Sequence, residues 1–267
     1  MMLEDLRVDP GTSARLAARD PSDRLGLDKQ EGESRLEVLV ERIDALQYRL
    51  HAEDRRSVLL VLQGLDASGK DGVVRRVFEG VNPTGVEVTS FRAPLGVERD
   101  HDYLWRIHAA LPPRGKIGVF NRSHYEDVVA VRMHELAPEE VWRRRYAHLR
   151  AFEEMLMDER TSILKVFLNV SREEQRARLQ ERIDDPEKRW KFRRDDLEVR
   201  RRFDDWLAAW EEALTETSTD AAPWYVVPAD RNWVKALGVA ELLAGTLERL
   251  SPQLPEPEAG IEGLRVT

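Results

Sequence analysis

The sequence predicts an α/β protein in which helices cover both faces of a mostly parallel sheet, and three observations carry that prediction. Five apolar runs recur along the chain, at residues 58–62 (VLLVL), 86–91 (VEVTSF), 117–120 (IGVF), 163–170 (ILKVFLNV) and 224–227 (WYVV). Most are too continuously apolar to alternate, as expected of parallel strands covered on both sides. Segments with apolar residues at helical spacing lie between them, so strand and helix alternate. A glycine-rich loop, QGLDASGKDG at 63–72, follows the first run directly and leads into a helical segment.

Residues 1–32 are polar, contain Pro10, Gly11, Pro21, Gly26 and Gly32, and show no sustained period, which predicts an irregular N-terminal arm. Ser34 and Glu37 then have capping-box spacing, and Leu36, Leu39, Val40, Ile43, Leu46 and Leu50 follow as one apolar helix face. A second stripe, Trp142, Tyr146, Leu149, Phe152 and Leu156, predicts the helix before the fourth strand. Ser171 with Glu174 opens another helix just after that strand, in which Leu179 and Ile183 are nearly the only apolar residues. So polar a helix seldom packs on a sheet. It predicts a projecting, mobile lid over about 172–196, with DDPEKRWKFRRDD at its tip. Val199, Phe203, Trp206, Trp210 and Leu214 form a further stripe opened by Asp195 and Glu198, and a last helix spans about 231–250. Pro252, Pro255 and Pro257 mark a loose tail over 253–267, leaving one domain at 33–252 without internal repeat or dividing linker.

Composition narrows the class. In 267 residues, 42% are hydrophobic and 34% charged, which excludes a wholly disordered chain. There is no cysteine, hence no disulfide framework and no thiolate metal site. No apolar run approaches the roughly 20 residues of a membrane span, and the N-terminus lacks an apolar signal region. The expectation is a soluble, cytoplasmic protein with no membrane partner. A net charge of −8 argues against nucleic acid as a partner. The charge is uneven, however: residues 172–202 hold 12 Lys/Arg against 9 Asp/Glu, a local +3. Such a band is either a solvated helix face or the seat of a localised anion.

The glycine-rich loop supplies the chemistry. Gly64, four intervening residues, then Gly69 and Lys70 have the spacing of a phosphate-binding loop in its required strand–loop–helix setting. Gly64, Gly69 and Gly72 let the backbone curl so that N–H groups around Ala67 and Ser68 converge, and the next helix adds its positive end. Lys70 brings a charge to the outer phosphates. Asp71 stands where a hydroxyl usually meets magnesium, and Asp66 lies inside the loop. Either the two serve as a turn former and a helix-start residue, or they hold Mg2+, with Mn2+ as a substitute, against the phosphates.

The third strand runs into FNRSHYEDV. Ligands of open parallel sheets sit beyond the strands' carboxyl ends, so Asn121, Arg122, Glu126 and Asp127 fall near the loop. Arg122 suits a two-pronged phosphate clamp. Glu126 and Asp127 face a metal or position an acceptor, with Asp127 the third candidate metal ligand. His124 reads as a structural residue at the surface, and His134-Glu135 lacks the second histidine of a zinc protease. On the lid, Arg178 and Arg182 lie four apart on one face, where a lid arginine contributes roughly 10³–10⁵ in rate to phosphoryl transfer. Lys188, Arg189 and Lys191 at the tip exceed the needs of one nucleotide and point to a longer polyanion. Phe91 and Arg92 follow the second strand, where an acceptor base could stack, although an aromatic there suits the core equally.

Four motifs, GLDASGKDG (64–72), FNRSHYEDV (120–128), WKF (190–192) and PWYVVPAD (223–230), together resemble the polyphosphate kinase 2 family over about residues 33–252. The resemblance implies a three-layer P-loop kinase fold of the thymidylate-kinase type, with a five-stranded parallel sheet and a helical lid. It implies reversible, Mg2+-dependent phosphoryl transfer from inorganic polyphosphate to a nucleotide. It places Asp66, Lys70 and Asp71 at the metal and the transferring phosphate, Arg122 with the nucleotide phosphates, and Arg178 and Lys191 in the lid. Many members carry aspartate where this chain has Asn121, so Glu126 or Asp127 stands in for that carboxylate. The Tyr125-Glu126-Asp127 version resembles the subgroup accepting both AMP and ADP. Implied partners are inorganic polyphosphate, adenine or guanine nucleotides, and further copies of the chain in a dimer or tetramer. An ATP-dependent nucleoside monophosphate kinase of the same fold, and a non-catalytic P-loop regulator, are the alternatives.

Overall fold

In the computed structural model of the chain, which describes residues 3–266, all five apolar runs become strands of one sheet, and a sixth strand joins them. In chain order the elements are β1 (Arg7–Val8), α1 (Lys29–Glu53), β2 (Ser57–Gln63), α2 (Lys70–Val77), β3 (Val86–Ser90), α3 (Trp105–Ala109), β4 (Ile117–Asn121), α4 (Glu126–Met133), α5 (Glu139–Asp158), β5 (Thr161–Asn169), α6 (Arg172–Asp184), α7 (Asp195–Arg201), α8 (Phe203–Thr217), β6 (Trp224–Pro228) and α9 (Asn232–Leu250). Short 3-10 turns fill some of the connections. The strand order is β1-β6-β5-β2-β4-β3, with β2 to β6 all parallel. β2, β4 and β5, at the centre and buried along most of their length, form the covered middle of the sheet. One helical layer is α1, α2 and α9, with α9 lying on β5 and β6; the other is α4, α5 and α8, with α5 on β5. Among the described residues no helix is long and apolar enough to cross a membrane.

The expected five-stranded parallel sheet is therefore corrected to six strands with one antiparallel pair. The extra strand comes from the arm read as irregular: Arg7 and Val8 pair with Tyr225 and Trp224 along the β6 edge. Two residues are too short to leave a period in the sequence. What anchors them is tertiary: Leu6, Val8, Ala14 and Leu16 are buried, and Arg19 donates to the carbonyls of Ala14 (2.9 Å), Asp5 (2.8 Å) and Arg7 (2.8 Å).

Two helix starts also differ. α1 begins at Lys29 under a capping box made by Asp28 and Glu31, upstream of Ser34. Asp28 has the extended backbone an N-cap needs, whereas Ser34 already lies inside the helix. The stripe at 199–214 is split at Arg202 into α7 and α8, and Asp195 is the first residue of α7, with no capping bond. It is Asp196 that turns back to accept from Arg193 N at 3.1 Å. Ser171 caps α6 as the sequence predicts, accepting from Glu174 N at 3.1 Å.

Behind the second motif lies a buried polar network. Lys165 Nζ of β5 donates to Glu153 Oε2 at 2.6 Å and to Thr217 O at 2.7 Å, and Tyr125 Oη donates to Glu153 Oε1 at 2.7 Å. His124 packs beside them, buried, with its Nε2 3.4 Å from Glu153, so it is a core residue where the sequence suggested a surface one. Glu153→Ala strands a buried ammonium, so urea unfolding should show a loss of about 3–5 kcal/mol, whereas Glu153→Leu combined with Lys165→Met should recover most of it. A loss near zero for the single variant would contradict this ion pair's place in the core.

Candidate active site

The register of the central strands sets the site. Leu62 of β2 pairs with Asn121 of β4, so the loop after Gln63 and the turn at Arg122 leave the sheet at one level. Arg122 N donates to Leu62 O (3.0 Å), and Phe91 N donates to Asn121 O (3.0 Å), which brings the end of β3 alongside.

Within the loop, Gly64 (φ +150°), Ala67 (φ +65°) and Gly69 (φ +98°) take left-handed backbone. A Cβ on Gly64 would meet Ser68 Oγ at 2.7 Å and Leu168 O at 2.8 Å, and one on Gly69 would meet Lys235 Nζ at 2.1 Å. Only glycine fits either position. Gly72 faces open space and carries no such demand. The loop's carbonyls are all taken. Lys70 Nζ donates to Gly64 O (2.7 Å) and Leu65 O (3.4 Å), and Gln175 Nε2 to Asp66 O (3.1 Å). Arg178 Nη1 donates to Ala67 O and Ser68 O (both 3.0 Å), Lys235 Nζ to Ser68 O (3.1 Å), and Val73 N to Gly69 O (3.1 Å). The first N–H groups of α2 have no partner within their helix, so the helix start can present donors to an anion, whereas Ser68 N already donates to Leu65 O at 3.0 Å.

Arg122 stands amid carboxylates. Its Nη2 is paired with Asp66 Oδ1 and its Nη1 lies 3.5 Å from Glu126 Oε1, while Asp196 and Asp71 add to the field that raises its pKa, Glu126 most strongly. Its φ of +63° is uncommon for a side-chain-bearing residue and turns the chain sharply as it leaves β4. Gln63, with its amide nitrogen turned toward Glu126, donates to Oε1 at 3.0 Å and accepts from Ser123 Oγ and N at 2.9 Å. Burial raises the pKa of Glu126, with Arg122 and Lys70 opposing. Asn121 Nδ2 donates to Asp71 Oδ1.

Other expected site residues lie elsewhere. Asp127 pairs with Arg106 Nη2 (3.3 Å), not with Asp66 or Asp71; burial raises its pKa, and Arg106 opposes. Arg106 also donates to Arg92 O (2.6 Å) and stands over the Phe91 ring. Phe91 itself is 8% exposed and edge-on to Phe120, so it is core packing and no open stacking platform, while Arg92 is exposed beside it. On the lid, Arg178 is committed to four backbone carbonyls, those of Ala67, Ser68, Ala229 and Asp230. In this conformation it ties α6 to the loop and does not reach toward a phosphate. Arg182 pairs with Asp196 at 3.6 Å. The tip cations find their partners within the lid: Lys188 with Glu181 and Asp185, Arg189 with Ile183 O, and Lys191 beside the Trp190 ring.

Sequence reasoning missed Lys235, Gln175, Asp196 and Arg106. Lys235 had a signal. It sits in a helix buried almost all round, among Trp233, Val234, Ala236 and Leu237, where a lysine is out of place unless it has a partner. The other three had none beyond their charge or polarity.

Among the described residues no group of three His, Cys, Asp or Glu side chains could hold a metal ion unaided. Mg2+ does not require one, because it takes one or two carboxylates and completes its shell with phosphate oxygens and water. Asp66, partly exposed, and Asp71, exposed, flank the anion cradle and fit that donor set.

An anion cradle at the carboxyl ends of a parallel sheet, with lysine, arginine and acids converging on it, defines an enzyme that handles phosphate groups. The sequence pattern of the family described as polyphosphate kinase 2 matches residues 26–255. The chain is 51% identical over 262 residues to an AMP/ADP-polyphosphate phosphotransferase of Meiothermus ruber, covering 97% of this chain and 98% of that one. It is 46% identical over 233 residues to an ADP-polyphosphate phosphotransferase of Rhodopseudomonas palustris, covering 83% and 81%. A crystal structure of polyphosphate kinase 2 from Arthrobacter aurescens superposes with a TM-score of 0.92 at 41% identity, over 97% of this chain and 93% of that one. The chain belongs to the polyphosphate kinase 2 family.

Burial holds the Lys70 ammonium down to about 8, with Arg122 adding to the shift and Asp66, Glu126 and Asp71 opposing it. Lys70 is therefore charged below that pH and neutral above it. Calorimetric titration with tripolyphosphate should give weaker binding at a pH of about 9 than at about 7. Equal affinity at both would separate Lys70 from the anion.

Proposed function

We propose that this chain transfers a phosphoryl group from inorganic polyphosphate to AMP and to ADP, reversibly and with Mg2+, on a thymidylate-kinase-like P-loop scaffold. One observation supports the reading: a glycine loop curled around Lys70, with Arg122 and its carboxylates at the next strand end, in a chain matched nearly end to end by an AMP/ADP-polyphosphate phosphotransferase.

In the reaction a terminal oxygen of the nucleotide phosphate attacks the end phosphorus of the polyphosphate. The bridging P–O bond breaks, and the chain leaves one unit shorter. Catalysis here is positioning and charge stabilisation. Lys70 and the amides of the loop and helix start hold the moving group, and Arg122, oriented by Asp66 and Glu126, neutralises its equatorial oxygens. Asp66 and Asp71 would hold Mg2+, or Mn2+ in its place, which would supply further positive charge to the phosphates. Arg106, Arg92 and Asp127 line the acceptor side. Arg182, Lys188, Arg189 and Lys191 serve the long donor once the lid cations exchange their internal partners for phosphate. Residence in the cytoplasm and assembly as a homo-oligomer belong to the same reading, the latter checked by light scattering.

The decisive assay supplies AMP or ADP with either long-chain polyphosphate or ATP, and Mg2+ throughout. Rapid ADP and ATP formation from polyphosphate is expected; turnover with ATP alone as donor would overturn the reading. Asp71→Asn should lower kcat by about 10² or more while leaving the melting temperature unchanged. Replacing Lys188, Arg189 and Lys191 together with glutamine should raise the Michaelis constant for long polyphosphate more than that for AMP, and should flatten its salt dependence. Equal effects on both substrates would confine those cations to a surface role.

A further inference from the structure

Lys235 lies outside every motif and outside the reaction scheme, yet it reaches the phosphate loop from beneath. It projects from α9, is 2% exposed, and donates from Nζ to Ser68 O at 3.1 Å. Gly69 makes room for it, because a Cβ there would lie 2.1 Å from Nζ and 2.8 Å from Cε. Ser68 O is the one loop carbonyl that accepts from two cationic side chains, the other being Arg178 at 3.0 Å.

Peptide planarity turns that contact into a consequence for the anion. In a trans peptide the C=O and the next N–H point in opposite directions. An ammonium that pulls the Ser68 carbonyl inward therefore holds the Gly69 N–H outward, toward the cradle. We propose that Lys235 is a positioning residue of the donor-phosphate site, locking the Ser68–Gly69 peptide in its anion-binding orientation from the opposite face of the loop. The inference rests on the reading of this loop as the seat of the donor phosphates.

The surroundings agree with such a task. The groups facing Lys235 are Arg178 and Glu174 of α6, Asp230 ahead of α9, and Lys70 of α2. Burial pulls its pKa to about 7, with Arg178 and Lys70 adding to the shift and Glu174 and Asp230 opposing. A buried ammonium in that field costs stability, which is unusual for a residue that only fills space; a methionine would fill it without that cost. Arriving phosphate charge would favour the protonated form, tightening the hold on Ser68 as the anion binds.

The test compares wild type with Lys235→Met, which keeps the length and loses the donor, and with Lys235→Arg, which keeps donor and charge. Lys235→Gln provides the same comparison should the methionine variant fail to fold. Tripolyphosphate affinity is measured by calorimetry with Mg2+ and no nucleotide, and Michaelis constants are measured for long polyphosphate and for AMP. The expected result is a loss of tripolyphosphate affinity of about tenfold in Lys235→Met, the worth of one charge-assisted hydrogen bond. The Michaelis constant for polyphosphate should rise in parallel while that for AMP stays unchanged, the melting temperature should hold or increase, and arginine should restore part of the affinity. Unchanged tripolyphosphate affinity, or equal changes for polyphosphate and AMP, would overturn the proposal. Should wild type bind tripolyphosphate but turn over only with ATP, the donor assignment falls, while the calorimetric comparison still decides the role of Lys235.

Discussion

A backbone that turns its N–H groups toward an anion must dispose of its carbonyl oxygens on the other side, and that disposal organises the surroundings of the loop at 64–69. Buried carbonyls without partners cost as much as lost hydrogen bonds. Here the donors come from three directions: Lys70 from the loop's own helix, Gln175 and Arg178 from α6, and Lys235 from α9. Elements far apart in sequence are thereby held to one short curl of chain. The loop's shape is a property of the whole domain.

The same constraint explains why α6 behaves unlike an ordinary surface helix. Its N-terminal half is fastened to the loop and to the end of β6, because Arg178 also reaches the carbonyls of Ala229 and Asp230 (2.7 and 2.8 Å). Its far end and the segment beyond are held by ion pairs among themselves, such as Lys188 with Glu181. Exposed pairs of that kind are individually weak. The segment from α6 to α7 therefore has a fixed root and a tip whose exposed charges exchange partners cheaply.

Strands β2, β4, β5 and β6 were legible because burial on both faces leaves continuous apolar runs, whereas β3, half-exposed at the sheet edge, left only a mixed one; the curl of the loop was legible in Gly64 and Gly69, whose positions admit no Cβ. The arm was misread, since β1 is two residues long and its register comes from partners more than 200 positions away in sequence. The carbonyl partners of Arg178 were not legible: helical spacing tells where a side chain points, and says nothing of the backbone oxygens that wait there. Phe91 shows the same limit, because an aromatic after a strand looks alike whether it faces a base or another ring. Lys235 could have been found by asking why a nearly all-apolar helix carries a lysine.

The two-residue strand at the N-terminal side closes one flank of the sheet. It covers the outer edge of β6, whose unsatisfied peptide groups would otherwise form a ready template for another chain. Arg19, folded back onto three carbonyls of that segment, acts as a latch on the cover. A chain clipped ahead of residue 9 would keep its catalytic apparatus intact and yet bare a sticky flank, so proteolytic trimming there would be felt first as fibre-like self-association and only later as lost turnover.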